Sequence, residues 1–370
     1  MSLQINFFLP IFSVLFAFAI STSAQTTSPT PPLEGEPERI FTEEIKLNVS
    51  ALDPNGKFIS DIKKEDLVIM EDDRLHQVSS VRRIPANVLI VMDTGGEMRQ
   101  AKSFKQTRAT AKGVINALQP QDSVSLMQYH DKVEIIAEWT SKEEALKILN
   151  TKANFGRRSM FISALEMATR FLQKTPIENR HLVLISDGTD SFNKLSERQA
   201  AMKNLLATDI NVHIISYTQM EKTQIAPKTS VFMKGEPKPK RAPEEVIMTM
   251  PKGIQDTMRA PRLGSINTDR EFLRKMKERE KSLEESEKYL AALAADTNGE
   301  FILPESNEEM LEKTALVAQI IDSSYVVTYA PKRALKESPA GEVRNIEVSS
   351  RRDNLLVQAR RKLIIQSENK

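Results

Sequence analysis

The sequence predicts an α/β fold, a doubly wound sheet with helices on both faces, inserted between the two halves of a small all-β, sandwich-like domain. Three observations predict it. The apolar runs "NVLIVM" from Asn87 and "HLVLIS" from His181 read as buried strands, the first covered on both faces, and "INVHIIS" from Ile210 reads as one more strand. The segments between them carry apolar residues at helical spacing. Outside them, residues 40–86 and 323–365 form amphipathic strand-like segments, each set too small to stand alone.

Composition agrees with one large or two moderate globular domains: 370 residues, 28% charged and 40% hydrophobic. A formal net charge of +2 gives no argument for nucleic acid. The absence of cysteine excludes disulfides and thiolate metal sites.

Residues 1–24 read as an export signal. "FFLPIFSVLFAFAI" is an apolar core, and "STSAQ" supplies small residues for cleavage after Ala24. The core is short of the about 20 residues a transmembrane helix needs, and Pro10 interrupts it. A basic leading segment is missing, so an uncleaved anchor is the alternative. Residues 25–39 are a Pro/Ser/Thr linker.

In the first β part, "EIKLNVSAL" alternates Ile45, Leu47 and Val49 inward. "DPNGK" predicts a hairpin turn, and "EDLVIMEDDRLHQVSSVRR" two short strands around Asp72-Asp73. Asn48-Val-Ser matches a glycosylation sequon by pattern only. The strand at Asn87 leads into a helix with the stripe Met98, Ala101, Phe104, Ala111, Val114, Ile115 and Leu118, ended by Pro120. A hairpin turning at His130-Asp131 follows, then a helix through Ile162, Leu165, Ala168, Phe171 and Leu172. A further helix opens on a Ser196…Gln199 capping box.

Two of the covered strands end in acid, at Asp93 in "VLIVMD" and Asp187 in "LVLISD". In open α/β sheets, ligands bind beyond the carboxyl ends of the strands. Each aspartate alone reads equally as a helix cap. Both together, in this order of elements, resemble a von Willebrand factor type A domain, whose fold is Rossmann-like. There, Asp-x-Ser-x-Ser, a threonine in a later loop and a second Asp form a metal-ion-dependent adhesion site. Here "DTGGE", "GRRSMFISAL" and "SDGTD" stand at those places. The resemblance covers about residues 87–217 and resumes at "SEKYLAALAADTNG" from Ser286, so the domain is placed at 87–322 with a charged insert at about 218–283. The β segments around it look like those flanking this domain in bacterial exported proteins.

The resemblance implies Asp93, Ser159 and Asp187 as metal-site residues. Gly95 and Glu97 stand where two serine hydroxyls belong. Such a site suits a hard cation with oxygen ligands. Glu97 restores an oxygen, whereas Arg157 and Arg158 offer guanidinium charge in place of a metal. The substitutions favour a degenerate site without metal over a weak Mg²⁺ or other divalent site. The binding set is then Asp93, Gly95, Glu97, Ser159, Asp187, Arg157 and Arg158.

His76, His130, His181 and His213 show no ligand spacing. His213 reads as a packed strand residue, His130 as an exposed hairpin tip. No nucleophile or phosphate-loop motif occurs. Residues 218–283 depart from a minimal domain, with six prolines from Pro227 to Pro261 and the basic cluster Lys238, Lys240 and Arg241. Residues 218–266 predict a floppy loop or a partner-binding arm. The long helix after it is capped by Thr268…Glu271 and stopped at Asn298-Gly299. Met276, Leu283 and Leu290 recur every seven residues, and its charged first half projects into solvent or pairs with another helix.

These features predict an exported, non-enzymatic module (secreted, periplasmic or envelope-associated) that binds another protein or a matrix component. The alternative is a structural subunit of an envelope complex using the charged insert and long helix. An enzyme or enzyme partner is the weakest reading. Partner identity and oligomeric state are not legible.

Overall fold

The computed structural model describes residues 43–96, 103–192, 195–229, 247–259 and 269–365. The predicted export signal, linker, Glu97, and the helix start at Met98 and Ala101 lie outside the described residues, as does most of the arm between 230 and 246. The chain lays down β1 (Ile45–Leu52), β2 (Leu67–Glu71), β3 (Arg74–His76) and β4 (Val78–Arg82). Asp72 and Asp73 both adopt positive φ, as the tight β2–β3 turn requires. Three strands stand where two were expected, because the chain changes sheets at Gln77: β3 pairs with β2, whereas β4 belongs to the other sheet. The "DPNGK" turn closes on a single bridge, Leu52 to Phe58, rather than a second hairpin arm.

The α/β part follows: β5 (Asn87–Asp93), α1 (Phe104–Ala117), β6 (Ser123–Tyr129), β7 (Val133–Thr140), α2 (Lys142–Thr151), α3 (Phe161–Lys174), β8 (Arg180–Ile185), α4 (Leu195–Leu206), β9 (Asn211–Ile215), α5 (Thr218–Ile225), α6 (Lys252–Arg259), α7 (Arg270–Asp296), β10 (Phe301–Ile302) and α8 (Asn307–Asp322). The sheet order is β10-β9-β8-β5-β6-β7, parallel except for the β6–β7 hairpin. Alternate residues of β5 serve opposite cores. Val88, Ile90 and Met92 pack with α1, α2 and α8; Leu89 and Val91 pack with α3, α4 and α7. That double burial is why these strands read as continuous apolar runs.

Helix starts differ from the sequence expectation in ways that side-chain chemistry explains. α1 begins after Ser103, whose hydroxyl accepts from the Gln106 N–H while the Gln106 side chain returns the bond. α4 already includes Leu195, so Ser196 lies inside its first turn rather than at the cap. α7 is capped by Asp269, whose carboxylate accepts from Phe272 N–H at 2.9 Å; Thr268, the expected cap, lies outside the described residues. The predicted loop after Thr218 contains α5 and α6. α7 does not project: Phe272, Met276 and Leu283 pack on Ile225 of α5. α2, capped by Ser141, is an addition to the predicted set.

The chain then forms β11 (Ser324–Tyr329), β12 (Val343–Ser350), β13 (Leu356–Ala359) and β14 (Lys362–Ile364). Strands from both ends of the α/β part interleave into two four-stranded sheets, β13-β1-β11-β4 and β14-β12-β2-β3. They share one core through Leu47, Val49, Ile69, Val327 and Ile346. Arg83 and Asp322, at the two ends of the insertion, are joined at 2.8 Å. Within the sandwich, fully buried Arg344 pairs with Glu71, which also accepts from the Tyr329 hydroxyl at 2.8 Å. The buried guanidinium of Arg360 donates to the carbonyls of Leu206 and Thr208 at the end of α4, locking sandwich to α/β sheet. Asn48 is buried and donates to Asp209 O, so the sequon at this position is inaccessible in the folded chain.

Candidate functional site

β5 and β8 are neighbours, so their carboxyl ends bring Asp93 and Asp187 to one edge, both fully buried. Asp93 Oδ1 accepts from Gly95 N–H at 3.1 Å, and Oδ2 from the Ser159 hydroxyl at 3.4 Å. Ser159 also lies within hydrogen-bond reach of Thr189 O, at 3.0 Å. Asp187 Oδ1 accepts from both the N–H and the hydroxyl of Thr189, at 2.9 and 2.7 Å. The predicted aspartates and Ser159 are therefore brought together, bridged by Thr189. Glu97 lies outside the described residues.

Gly95 answers the question its motif raises. A Cβ there would sit 1.8 Å from the carbonyl oxygen of Arg158, and the neighbouring Gly96 N–H donates to Arg157 O at 3.1 Å. Glycine is thus required by the contact between two loops, and a serine has no room. The hydroxyl expected at this position by family resemblance is sterically excluded.

Arg157 and Arg158 do not neutralise the aspartates, contrary to expectation. Their backbone N–H groups donate to Asp131 at 3.0 and 3.1 Å, bonds that hold its carboxyl below the usual carboxylate range. Both side chains are exposed, and the Arg158 guanidinium lies 5.6 Å from the Phe192 ring. Among the described residues, a guanidinium reaches the site instead from Arg279 of α7. Its Nη2 donates to Asp187 Oδ2 at 2.9 Å and its Nη1 to Thr189 Oγ1 at 2.8 Å. α7 touches the same loop twice more: Ser286 donates to Asp187 O at 2.5 Å, and the Tyr289 hydroxyl to Gly188 O. Gly188 has φ +67°, and a Cβ there would meet Ser286, Tyr289 and Leu290 of the helix.

Sequence reading passes over Arg279, yet a signal existed. It lies three residues after Met276 and four before Leu283, on the apolar stripe of α7. A charge on a buried stripe needs a partner.

The described residues of the site fit a divalent cation poorly. One direct hydroxyl is sterically excluded at Gly95, and both oxygens of Asp187 are engaged by Thr189 and Arg279. Among the described residues, no three carboxylate or imidazole groups are grouped to hold a metal.

All four histidines are buried. His181 Nδ1 and His213 Nε2 are 3.0 Å apart, and His181 Nε2 is 2.9 Å from Asn179 Oδ1. His130 is buried rather than exposed; its Nδ1 accepts from Asp131 N–H at 2.7 Å.

Residues 88–189 match the profile of the von Willebrand factor type A domain. The chain carries a domain of that family, which commonly mediates protein–protein interaction or adhesion. No curated protein sequence matches the chain. Similar solved structures include BatB, a conserved hypothetical protein from Bacteroides thetaiotaomicron, at 16% identity, covering 64% of this chain and 98% of that one with a TM-score of 0.35. The manganese-loaded TRAP protein of Plasmodium vivax is 11% identical over 80% of this chain and 97% of that one, TM-score 0.36. A von Willebrand factor type A protein from Catenulispora acidiphila is 9% identical over 90% and 76%, TM-score 0.40. All three lie below the similarity at which one chain's site can be read onto another's.

Proposed function

We propose that the chain is an exported, non-enzymatic protein-binding module acting at the carboxyl edge of the six-stranded sheet without a metal. The observation that carries this is an exposed aromatic and cationic rim around that edge. Phe155 is 73% exposed, Phe192 52% and Leu195 63%. Phe155 lies against Phe104, with ring centroids 6.1 Å apart. The exposed Arg158 carries its guanidinium 5.6 Å from the Phe192 ring, and the exposed Arg157 stands beside Phe155. Phe104, Phe155 and Arg157 also line a cleft of about 230 Å³ whose floor is Asp93 to Gly96. Aromatic and arginine side chains are the ones most often found as energetic anchors in protein interfaces. Clustered exposed apolar groups rimmed by charge mark such interfaces.

The structural-subunit reading has less support, because the seam of α7 is consumed internally against Ile225 and the Gly188 loop. The enzymatic reading has the least support: among the described residues, neither nitrogen of His130 bonds a hydroxyl, and His181 and His213 are enclosed. Export rests on the N-terminal pattern; sequencing of the mature protein should start at Gln25. Among the described residues, no helix is long and apolar enough to cross a membrane.

A photo-crosslinking residue at position 155, introduced in the native host, should capture one protein with EDTA present. The same residue at Leu356, which is 53% exposed on the sandwich, should not. Equal capture from both positions, or capture that needs Mg²⁺, refutes the proposal.

A further inference from the structure

We propose that the Asp187–Thr189 edge is a guanidinium site, filled from within by Arg279, and that it takes a guanidinium and not a divalent cation. The inference is independent of whether the rim is the partner surface. It begins with charge. Asp187 is fully buried, and the Arg279 side chain opposite it is only 14% exposed. A carboxylate taken out of water requires an opposite charge or several donors. A metal would supply that charge through oxygen ligands. Here two terminal nitrogens of one guanidinium supply it, each to a different acceptor. This forked pattern is one that planar guanidinium makes and ammonium does not.

Thr189 sets the acceptor roles. Its hydroxyl proton goes to Asp187 Oδ1 at 2.7 Å, so its oxygen faces Arg279 Nη1 as an acceptor. Carboxylate and hydroxyl thus form a matched pair of acceptors for one fork. Helix register then fixes the cation. Arg279, Leu283, Ser286 and Leu290 recur at helical spacing on one face. Leu283 and Leu290 are fully buried, and Ser286 and Tyr289 bond the backbone of the loop that holds Asp187. A shift of α7 by one residue would rotate Arg279 away and break all of these contacts. The cation is therefore part of the fold, carried in by the segment that departs from a minimal domain.

The test uses the full chain and thermal unfolding followed by circular dichroism. The unaltered protein should melt at the same temperature in EDTA, Mg²⁺ or Mn²⁺. Arg279→Ala should lower the midpoint by roughly 5–10 °C, because Asp187 loses its guanidinium. Millimolar methylguanidinium should restore part of that loss in Arg279→Ala and do nothing for the unaltered protein; Mg²⁺ and Mn²⁺ should restore none. Arg279→Lys should recover less than methylguanidinium does, since it keeps charge but not the fork. Should Arg279→Ala fail to fold, Asp187→Asn combined with Arg279→Gln replaces the ion pair by an amide pair. It should then lose less than Asp187→Asn alone. The proposal is overturned if a divalent cation raises either midpoint, if Arg279→Ala melts like the unaltered protein, or if the paired variant is as damaged as Asp187→Asn.

Discussion

Acidification should destabilise this protein through two buried histidines. Glu300 N–H donates to His213 Nδ1 at 3.3 Å, which makes His213 Nε2 the donor to His181 Nδ1. His181 Nε2 then donates to Asn179 Oδ1, and Asn179 Nδ2 to Ile84 O at 2.9 Å. The hydrogen-bond network assigns these tautomers, each ring donating once and accepting once, which only neutral imidazoles can do. Both rings are fully buried. Burial lowers His213 from 6.5 to about 4, and burial together with its neighbour lowers His181 well below the ordinary value. Between pH 6.5 and 4 the unfolded chain therefore binds more protons than the folded one. The stability is present above about 6.5 and is lost as pH falls towards about 4. For His213 alone the shift is worth about 3 kcal/mol, a sizeable part of the 5–15 kcal/mol typical of a domain. Urea unfolding at pH 7.5 and 4.5 should show a loss in the unaltered protein larger than in a His181→Gln/His213→Gln variant, whose amides do not titrate, by at least the about 2–3 kcal/mol that His213 alone contributes over that range. Glu178, held down to about 2 by Arg82 and Lys46, titrates lower and is common to both chains. Parallel stability–pH curves for the two chains would refute the reasoning.

Gly95→Ser, alone or with Glu97→Ser, should lower the melting temperature without creating Mg²⁺ affinity in a calorimetric titration. The new Cβ would have to move more than about 1 Å from the Arg158 carbonyl to reach ordinary contact, which separates the two site loops. Arg344→Ala should cost roughly 3–5 kcal/mol in chemical unfolding, because it leaves Glu71 charged inside the sandwich; adding Glu71→Gln should recover part of the loss. A chain ending at Asp322 lacks β11 to β14, so β1 loses both neighbours and becomes an open edge. It should aggregate on size-exclusion chromatography, and a monomer as heat-stable as the full chain would contradict a shared sandwich.

Much of the architecture was legible because burial on two faces leaves a direct trace in sequence. β5 and β8 carry uninterrupted apolar runs, and the polarity change at their ends placed Asp93 and Asp187 at the carboxyl edge. The seven-residue seam of α7 likewise showed that this helix has a docked face. What that face meets was not legible. Arg279 and Asp187 are 92 residues apart, and their pairing depends on the rotation and register with which α7 lands on the Gly188 loop. The nearer arginines, Arg157 and Arg158, share a loop with Ser159, but the chain aims their backbone rather than their side chains at the adjacent acid. Gly95 posed the same difficulty: composition marks it as a missing serine, and only the 1.8 Å approach of a distant carbonyl shows it to be a required glycine. Periodicity reports what a residue's own element needs. Which charge meets which, and which backbone passes close to which, follows from contacts between elements far apart in the chain, and those exist only once the layers have packed.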